Sequence, residues 1–259
     1  MNEPFALPPR SRKPRLRGLT SMIDFGPDTF GWTGGEHGIR ALLECAADYI
    51  DLAKIYAMNA LLLPEDAVRR AAHAYRDAGI ATFAGGILFE YAWQKGQVDD
   101  MMRHLDRIGL NGIELSENYI TLSDEERTRE IERLQKHGLK VVYEFGRKNP
   151  VEPMSFDYIA QLVAQVGNLG IDHITVEQCE IDLLAASSAD ALTELPQQDW
   201  FDHILIEVDP YRFPQQHAKI IQDFGPEVNL ANVTPGQVLR LEGFRRGVGR
   251  AVDYSLLER

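Results

Sequence analysis

Four glutamates stand in equivalent contexts, each at the end of a short, mostly apolar run. They are Glu114 after Ile113, Glu144 after Val141–Val142–Tyr143, Glu177 after Val176 and Glu207 after Ile206. Carboxylates gathered in this way can do two kinds of chemistry. They can move protons, and they can hold a hard divalent cation such as Mg2+ or Mn2+ through oxygen ligands. A single glutamate at such a place is ordinarily a solvated end position, but four in matching places are not explained by that. Like charges at close range cannot all stay ionised without compensating cations. Lys54, Arg147 and Lys148 are expected to supply part of that charge and a metal the rest, with Asp24, behind Met22–Ile23, as a further ligand.

Lys148 is expected as the proton donor. It follows Gly146 and Arg147, where a flexible step can aim a long side chain at a site entrance. The neighbouring Arg147 should lower its pKa and the glutamates should oppose that shift, so that with the carboxylates neutralised by metal the lysine can still cycle its proton. Lys54 is expected to hold substrate charge. Arg147, Gly85, Gly86 and Asn232 are expected to contact a small anionic substrate, as are Arg245 and Arg246 as a phosphate-binding pair. Arginines closing a helix are more often simple complements to its dipole. His73, His104 and His137 lack paired ligand spacing and are read as surface residues.

These residues need elements that bring them to one place. Apolar runs recur at Gly18, Tyr49, Ile80, Gly112, Lys140, His173, His203 and Glu227, separated by helical patterns. The repeat is about 30 residues, the length of one βα unit. Pro64–Glu65 opens one helix, which stops at Gly79. Ser123 and Glu126 form a capping-box pattern ahead of another, which stops at Gly138, and Thr234–Pro235 opens the last. Strands apolar on both faces and alternating with helices imply a parallel sheet covered by helices. Eight such units in 259 residues favour a single-domain α/β protein, a closed (β/α)8 TIM barrel, over an open doubly wound sheet. No Gly-x-Gly-x-x-Gly follows the first strand, which weighs further against the open sheet. In such a barrel the chemistry sits at the C-terminal ends of the strands, where the four glutamates fall.

Residues 1–16 read as a flexible basic leader ahead of a barrel domain spanning 17–259, and the long loop from Phe25 to Gly38 as a mobile lid. The loop lacks the ending of a P-loop. The net charge of −12 argues against nucleic acid as a partner. Cys45 and Cys179 match neither a disulfide framework nor a zinc site, and no apolar run approaches a membrane span. A cytoplasmic homo-oligomer acting on a small anionic metabolite, with no membrane partner, is expected.

The strand ends, taken in order, resemble the phosphosulfolactate synthase family from about Arg17 to Arg250. The likeness rests on Gly85 to Gly96 (GGILFEYAWQKG), Glu114 to Ser116, Glu144 to Lys148 (EFGRK), Gln215–Gln216, Phe224 to Val233 (FGPEVNLANV) and Leu241 to Gly247 (LEGFRRG). The resemblance implies a lyase of coenzyme M biosynthesis that adds sulfite to phosphoenolpyruvate with Mg2+, a lysine delivering the proton. Four places depart from the family pattern, one of them the closing Gly-Leu-Arg-Gly-Asp, which is Gly247 to Ala251 (GVGRA) here. Phe25 stands where the family has lysine, Tyr56 to Ala60 replace Gly-Trp-Gly-Thr-Ser, and Glu177 to Asp182 carry no arginine. A divergent enzyme with another nucleophile or acceptor is therefore the alternative reading, and a non-catalytic stress-associated homologue is a third.

Overall fold

Each apolar run forms a strand. In the computed structural model, which describes residues 10–27 and 36–252 together with 7, 254 and 257, the eight are β1 (Thr20–Asp24), β2 (Leu52–Ile55), β3 (Ala81–Ala84), β4 (Gly112–Ser116), β5 (Lys140–Phe145), β6 (Ile174–Val176), β7 (Ile204–Glu207) and β8 (Leu230–Val233). Each pairs in parallel with the next, and β8 returns to β1, so the sheet closes into a (β/α)8 barrel with helices outside. Most of the expected lid, residues 28–35, lies outside the described residues.

The helices begin where local chemistry allows. Ser123 caps Asp124–Lys136: its Oγ accepts from Glu126 N at 3.2 Å, and Glu126 Oε2 accepts from Ser123 N at 2.9 Å. Glu65–Asp77 starts behind Pro64 with two acids in its first turn. Pro235–Gln237 forms a 3-10 turn that leads into Val238–Arg245.

Strand alternation creates two cores. Residues such as Met22, Ile113, Leu115, Val176 and Ile206 turn outward and pack beneath the helices. Leu19, Leu52, Leu205 and Ala231 turn inward and fill the floor at the N-terminal ends of the strands. The inward positions above that floor carry the polar side chains. Glu144 lies in register with Ser116 on one side and Thr175 on the other, and Glu207 with Ala231.

Part of the stretch expected as a leader is fastened to the barrel. Arg10 pairs with Glu242 and donates to Gly18 O, Lys13 Nζ donates to Ala47 O at 2.8 Å, and Arg15 Nε meets Asp51 Oδ1 at 3.0 Å. Basic residues there find carbonyls and carboxylates at the floor, which holds residues 10–15 in place. Among the described residues no helix is long and apolar enough to cross a membrane.

Candidate active site

A cavity of about 610 Å³ opens at the C-terminal ends of the strands. Glu114, Glu144, Glu177 and Glu207 all converge there, between 1 and 7 % exposed. Carboxylate oxygens of Glu144, Glu177 and Glu207 lie within 4.8 Å of one another. Lys54, from β2, reaches across the barrel to Glu114 Oε2 at 2.9 Å and Glu144 Oε2 at 3.1 Å. Lys148 pairs with Glu177 and lies 3.8 Å from Glu207 Oε1. Two buried carboxylate oxygens, Glu114 Oε1 and Glu207 Oε2, have no partner.

The electrostatics follow from that crowding. Burial, reinforced by Glu144, pushes the Glu114 carboxyl up to about 7 despite Lys54. Burial and Glu144 together push Glu207 up to about 8. Burial also raises Glu177. Burial acts the same way on Glu144, but Lys54, Lys148 and the Asn118 amide outweigh it and hold that carboxyl at about 2. Burial works to lower both lysines, yet the carboxylates win: Glu114 and Glu144 hold Lys54 well above the ordinary value, and Glu207, Glu144 and Glu177 raise Lys148. Without a metal, then, the glutamates outweigh the neighbouring cation at Lys148. Arg147 lies on the outside, and three carboxylates decide the charge of Lys148.

Close backbone approach builds the rest. Gly86 N donates to Glu114 Oε2 at 2.9 Å, and a Cβ on Gly86 would fall 2.3 Å from Ser116 Oγ. Gly146, at φ +121°, lets β5 end against Glu177, where a Cβ would fall 2.7 Å from that residue's Cβ. Asn118 donates to Glu144 Oε1 and to Gly146 O, both at 2.9 Å. Glu90 holds the loop that carries Asn118: its buried carboxylate accepts from Ser116 Oγ and from the backbone N–H of Asn118 (2.9 Å), Tyr119 (2.8 Å) and Ile120 (3.2 Å).

Comparison with known proteins reaches nearly the whole chain. A model of the (2R)-phospho-3-sulfolactate synthase (ComA) family matches residues 8–250. The chain belongs to the phosphosulfolactate synthase family. The phosphosulfolactate synthase of Methanocaldococcus jannaschii is 30% identical over 244 residues, 90% of this chain and 92% of that one. The Bacillus subtilis phosphosulfolactate synthase is 27% identical, covering 93% and 94%. Among solved structures, the N-acetylneuraminate lyase of Fusobacterium nucleatum aligns at TM-score 0.52 with 13% identity, covering 94% of this chain and 78% of that one. That likeness speaks for the barrel alone.

Not every expected site residue of this phosphosulfolactate synthase family member reaches the mouth. Gly85, Gly86, Asn232, Lys54 and Lys148 line the cavity. Asn232 sits at φ +61° with its Oδ1 buried and unpartnered. Asp24 does not join the glutamates. Ile23, one residue earlier, faces the cavity, so Asp24 faces the helices, where it accepts from Tyr75 Oη at 2.7 Å and Gly26 N at 2.7 Å. Arg147 turns outward to Thr121. Arg245 and Arg246 lie at the opposite end of the barrel. Arg245 donates to the carbonyls of Pro226, Val228 (2.7 Å) and Leu19 (3.2 Å), and Arg246 Nε pairs with Glu242 at 2.6 Å. Asn118 was not singled out from the sequence. It lies two residues past the end of β4, where strand alternation no longer places a side chain.

Proposed function

We propose that this protein is a metal-assisted lyase, joining a nucleophile to an unsaturated acid that bears a carboxylate, with Lys148 as the proton donor. The observation that carries the reading is the meeting of a charged lysine with three clustered glutamates in the mouth of the barrel. The donor set fits a divalent cation. Four ionised glutamates against two lysines would leave two negative charges uncompensated, which is why Glu114 and Glu207 titrate high, and two buried carboxylate oxygens are unpartnered. Glu144, Glu177 and Glu207 would hold the ion, and their hard oxygens suit Mg2+ or Mn2+. When bound, such an ion supplies Lewis-acid stabilisation of charge developing on a carboxylate.

The chain's own groups supply the rest. As the nucleophile bonds to the far carbon of the double bond, the electron pair moves to the carbon beside the carboxylate, and Lys148 Nζ gives that carbon a proton. Its ion pair with Glu177 keeps the Lys148 ammonium aimed into the mouth, and its proton is restored from the incoming nucleophile or solvent. Lys54 keeps Glu114 and Glu144 in place and adds positive charge to the floor of the cavity. Glu90 and Asn118 keep Glu144 aimed inward.

Sulfite and phosphoenolpyruvate, with Mg2+, are the first pair to test, since the curated relatives carry the name phosphosulfolactate synthase. A second reading, another nucleophile or acceptor, is favoured by the three arginines that turn away from the mouth. Phosphorus NMR of the protein with both compounds and Mg2+ separates them. A new phosphorylated product in D2O, carrying one deuteron at the protonated carbon, supports the first reading. Unchanged phosphoenolpyruvate with sulfite speaks for the second.

A further inference from the structure

One cation at the mouth is not engaged by the four glutamates. Arg212 closes the 3-10 turn Pro210–Arg212, and Pro210 and the preceding Asp209 both line the cavity. Gln237 ties that turn to the end of β8, its Nε2 donating to Pro210 O at 2.9 Å. The guanidinium bridges two carboxylates at the rim. Its Nη1 donates to Asp182 Oδ1 at 3.1 Å and Oδ2 at 3.0 Å, and its Nε lies 3.5 Å from Asp209 Oδ2. The Arg212 side chain is 51 % exposed, and exposed ion pairs hold weakly and exchange readily. Asp182 has a second partner in the cavity-lining Gln178, whose Nε2 donates to its Oδ2 at 2.8 Å, so it keeps a donor when Arg212 leaves.

The charge balance of the mouth calls for such a group. Two lysines and one divalent cation neutralise four ionised glutamates and leave nothing over for an anion. Phosphoenolpyruvate brings both a carboxylate and a phosphate. The metal and Lys148 can meet the carboxylate, and the phosphate then needs a partner of its own. Arg147, Arg245 and Arg246 are engaged away from the mouth. Arg212 offers a planar fork of N–H donors, which fits two phosphate oxygens at once. Beside the end of β7, Asn232 lines the cavity with its Oδ1 buried and unpartnered. That amide has hydrogen-bonding capacity in hand, and a half-turn puts its N–H groups where the oxygen stands.

We infer that Arg212 binds the phosphate of the acceptor, exchanging Asp182 for it on the β7–β8 side of the mouth, with the Asn232 amide as a second donor. This rests on the reading of a phosphorylated unsaturated acid as the acceptor, and it assigns the place of the phosphate.

The test is calorimetry with phosphoenolpyruvate and pyruvate on the Mn2+-loaded full chain, comparing the wild type with Arg212→Gln, Arg212→Lys and Asp182→Asn. Arg212 and Asp182 are both partly exposed, so these substitutions leave the core intact. Arg212→Gln is expected to weaken phosphoenolpyruvate about tenfold or more and pyruvate less than about twofold, with Arg212→Lys in between. Asp182→Asn, which frees the guanidinium, should tighten phosphoenolpyruvate a few-fold and lose that effect when combined with Arg212→Gln. If Asp182→Asn instead weakens binding as Arg212→Gln does, the inference is overturned, because the pair is then a strap that shapes the rim. Equal affinity of wild type and Arg212→Gln for phosphoenolpyruvate also overturns it, while leaving the lyase reading standing. Failure of phosphoenolpyruvate to bind the metal-loaded wild type removes both the inference and the phosphorylated acceptor beneath it.

Discussion

The two ends of the barrel both bury charge, and they do opposite things with it. At the floor, cations dominate and most of their donors meet fixed partners, although Nε of Arg10 and Nε of Arg245 are buried without one. Arg245 spends its donors on the carbonyls of Pro226, Val228 and Leu19, Arg10 and Arg246 share Glu242, and Arg15 takes Asp51 and Asp48 O. At the mouth, carboxylates outnumber cations, and oxygens of Glu114 and Glu207 are left without partners. Satisfied charge holds strand ends together. Surplus charge is a capacity to bind something of the opposite sign. The lesson is that the number of buried ionic groups says little about function, whereas their imbalance says a good deal.

If that division is right, a change at the mouth should affect catalysis and a change at the floor should affect folding. Lys148→Ala is the largest case: kcat should fall about 10²–10⁴-fold, with the urea midpoint nearly unchanged. Preserved turnover on the true substrate would move the proton donor elsewhere. At the floor, Arg245→Ala takes a donor from the carbonyls of Pro226, Val228 and Leu19, the last of which still accepts from Leu230 N, and denaturant titration should record a loss of about 3 kcal/mol. Folded Arg245→Ala should still bind metal as the wild type does. A selective loss of metal affinity there would break the division.

Much of this was readable from the sequence, for definite reasons. Strands apolar on both faces leave a run that marks them plainly, and the spacing of eight runs fixes the barrel. The four glutamates were legible because each follows its strand's apolar segment at a matching height. Asp24 and Arg147 failed by a single residue. Adjacent strand residues point to opposite faces, so the inward partners are Ile23 and, past the turn at Gly146, Lys148. Arg245 and Arg246 failed for a different reason. A helix following a strand runs back toward the floor, and its last turn therefore lies as far from the mouth as the fold allows. The roles of Glu90 and Asn118 were hidden because they depend on a loop conformation, which no periodicity encodes.

Two smaller effects concern groups outside both clusters of charge. His217 is fully buried against Phe213, both ring nitrogens unpartnered, and burial lowers its pKa from 6.5 to about 4. A depressed histidine contributes full stability above pH 6.5. That stability is lost as the pH falls toward about 4, because only the unfolded chain takes up the proton in that window. The loss approaches about 3 kcal/mol, and His217→Leu should remove this part of the acid limb in thermal melts taken from pH 7 to 4. An unchanged slope would mean that the ring is protonated in the folded protein. Ser123→Ala, which breaks the capping box, should cost about 1 kcal/mol and leave kcat alone.

The central claim is that surplus carboxylate at the mouth exists to bind one divalent cation, and titration calorimetry with Mn2+ on the wild type and Glu207→Gln tests it most directly. Glu207 is the best probe because its Oε2 has no partner and its raised pKa makes the neutral amide a mild replacement. The account predicts one equivalent of Mn2+ bound by the wild type and affinity at least tenfold weaker in Glu207→Gln, the two proteins melting within a few degrees of each other without metal. Equal and negligible binding by both would contradict it, and would leave the glutamates explained by Lys54 and Lys148 alone.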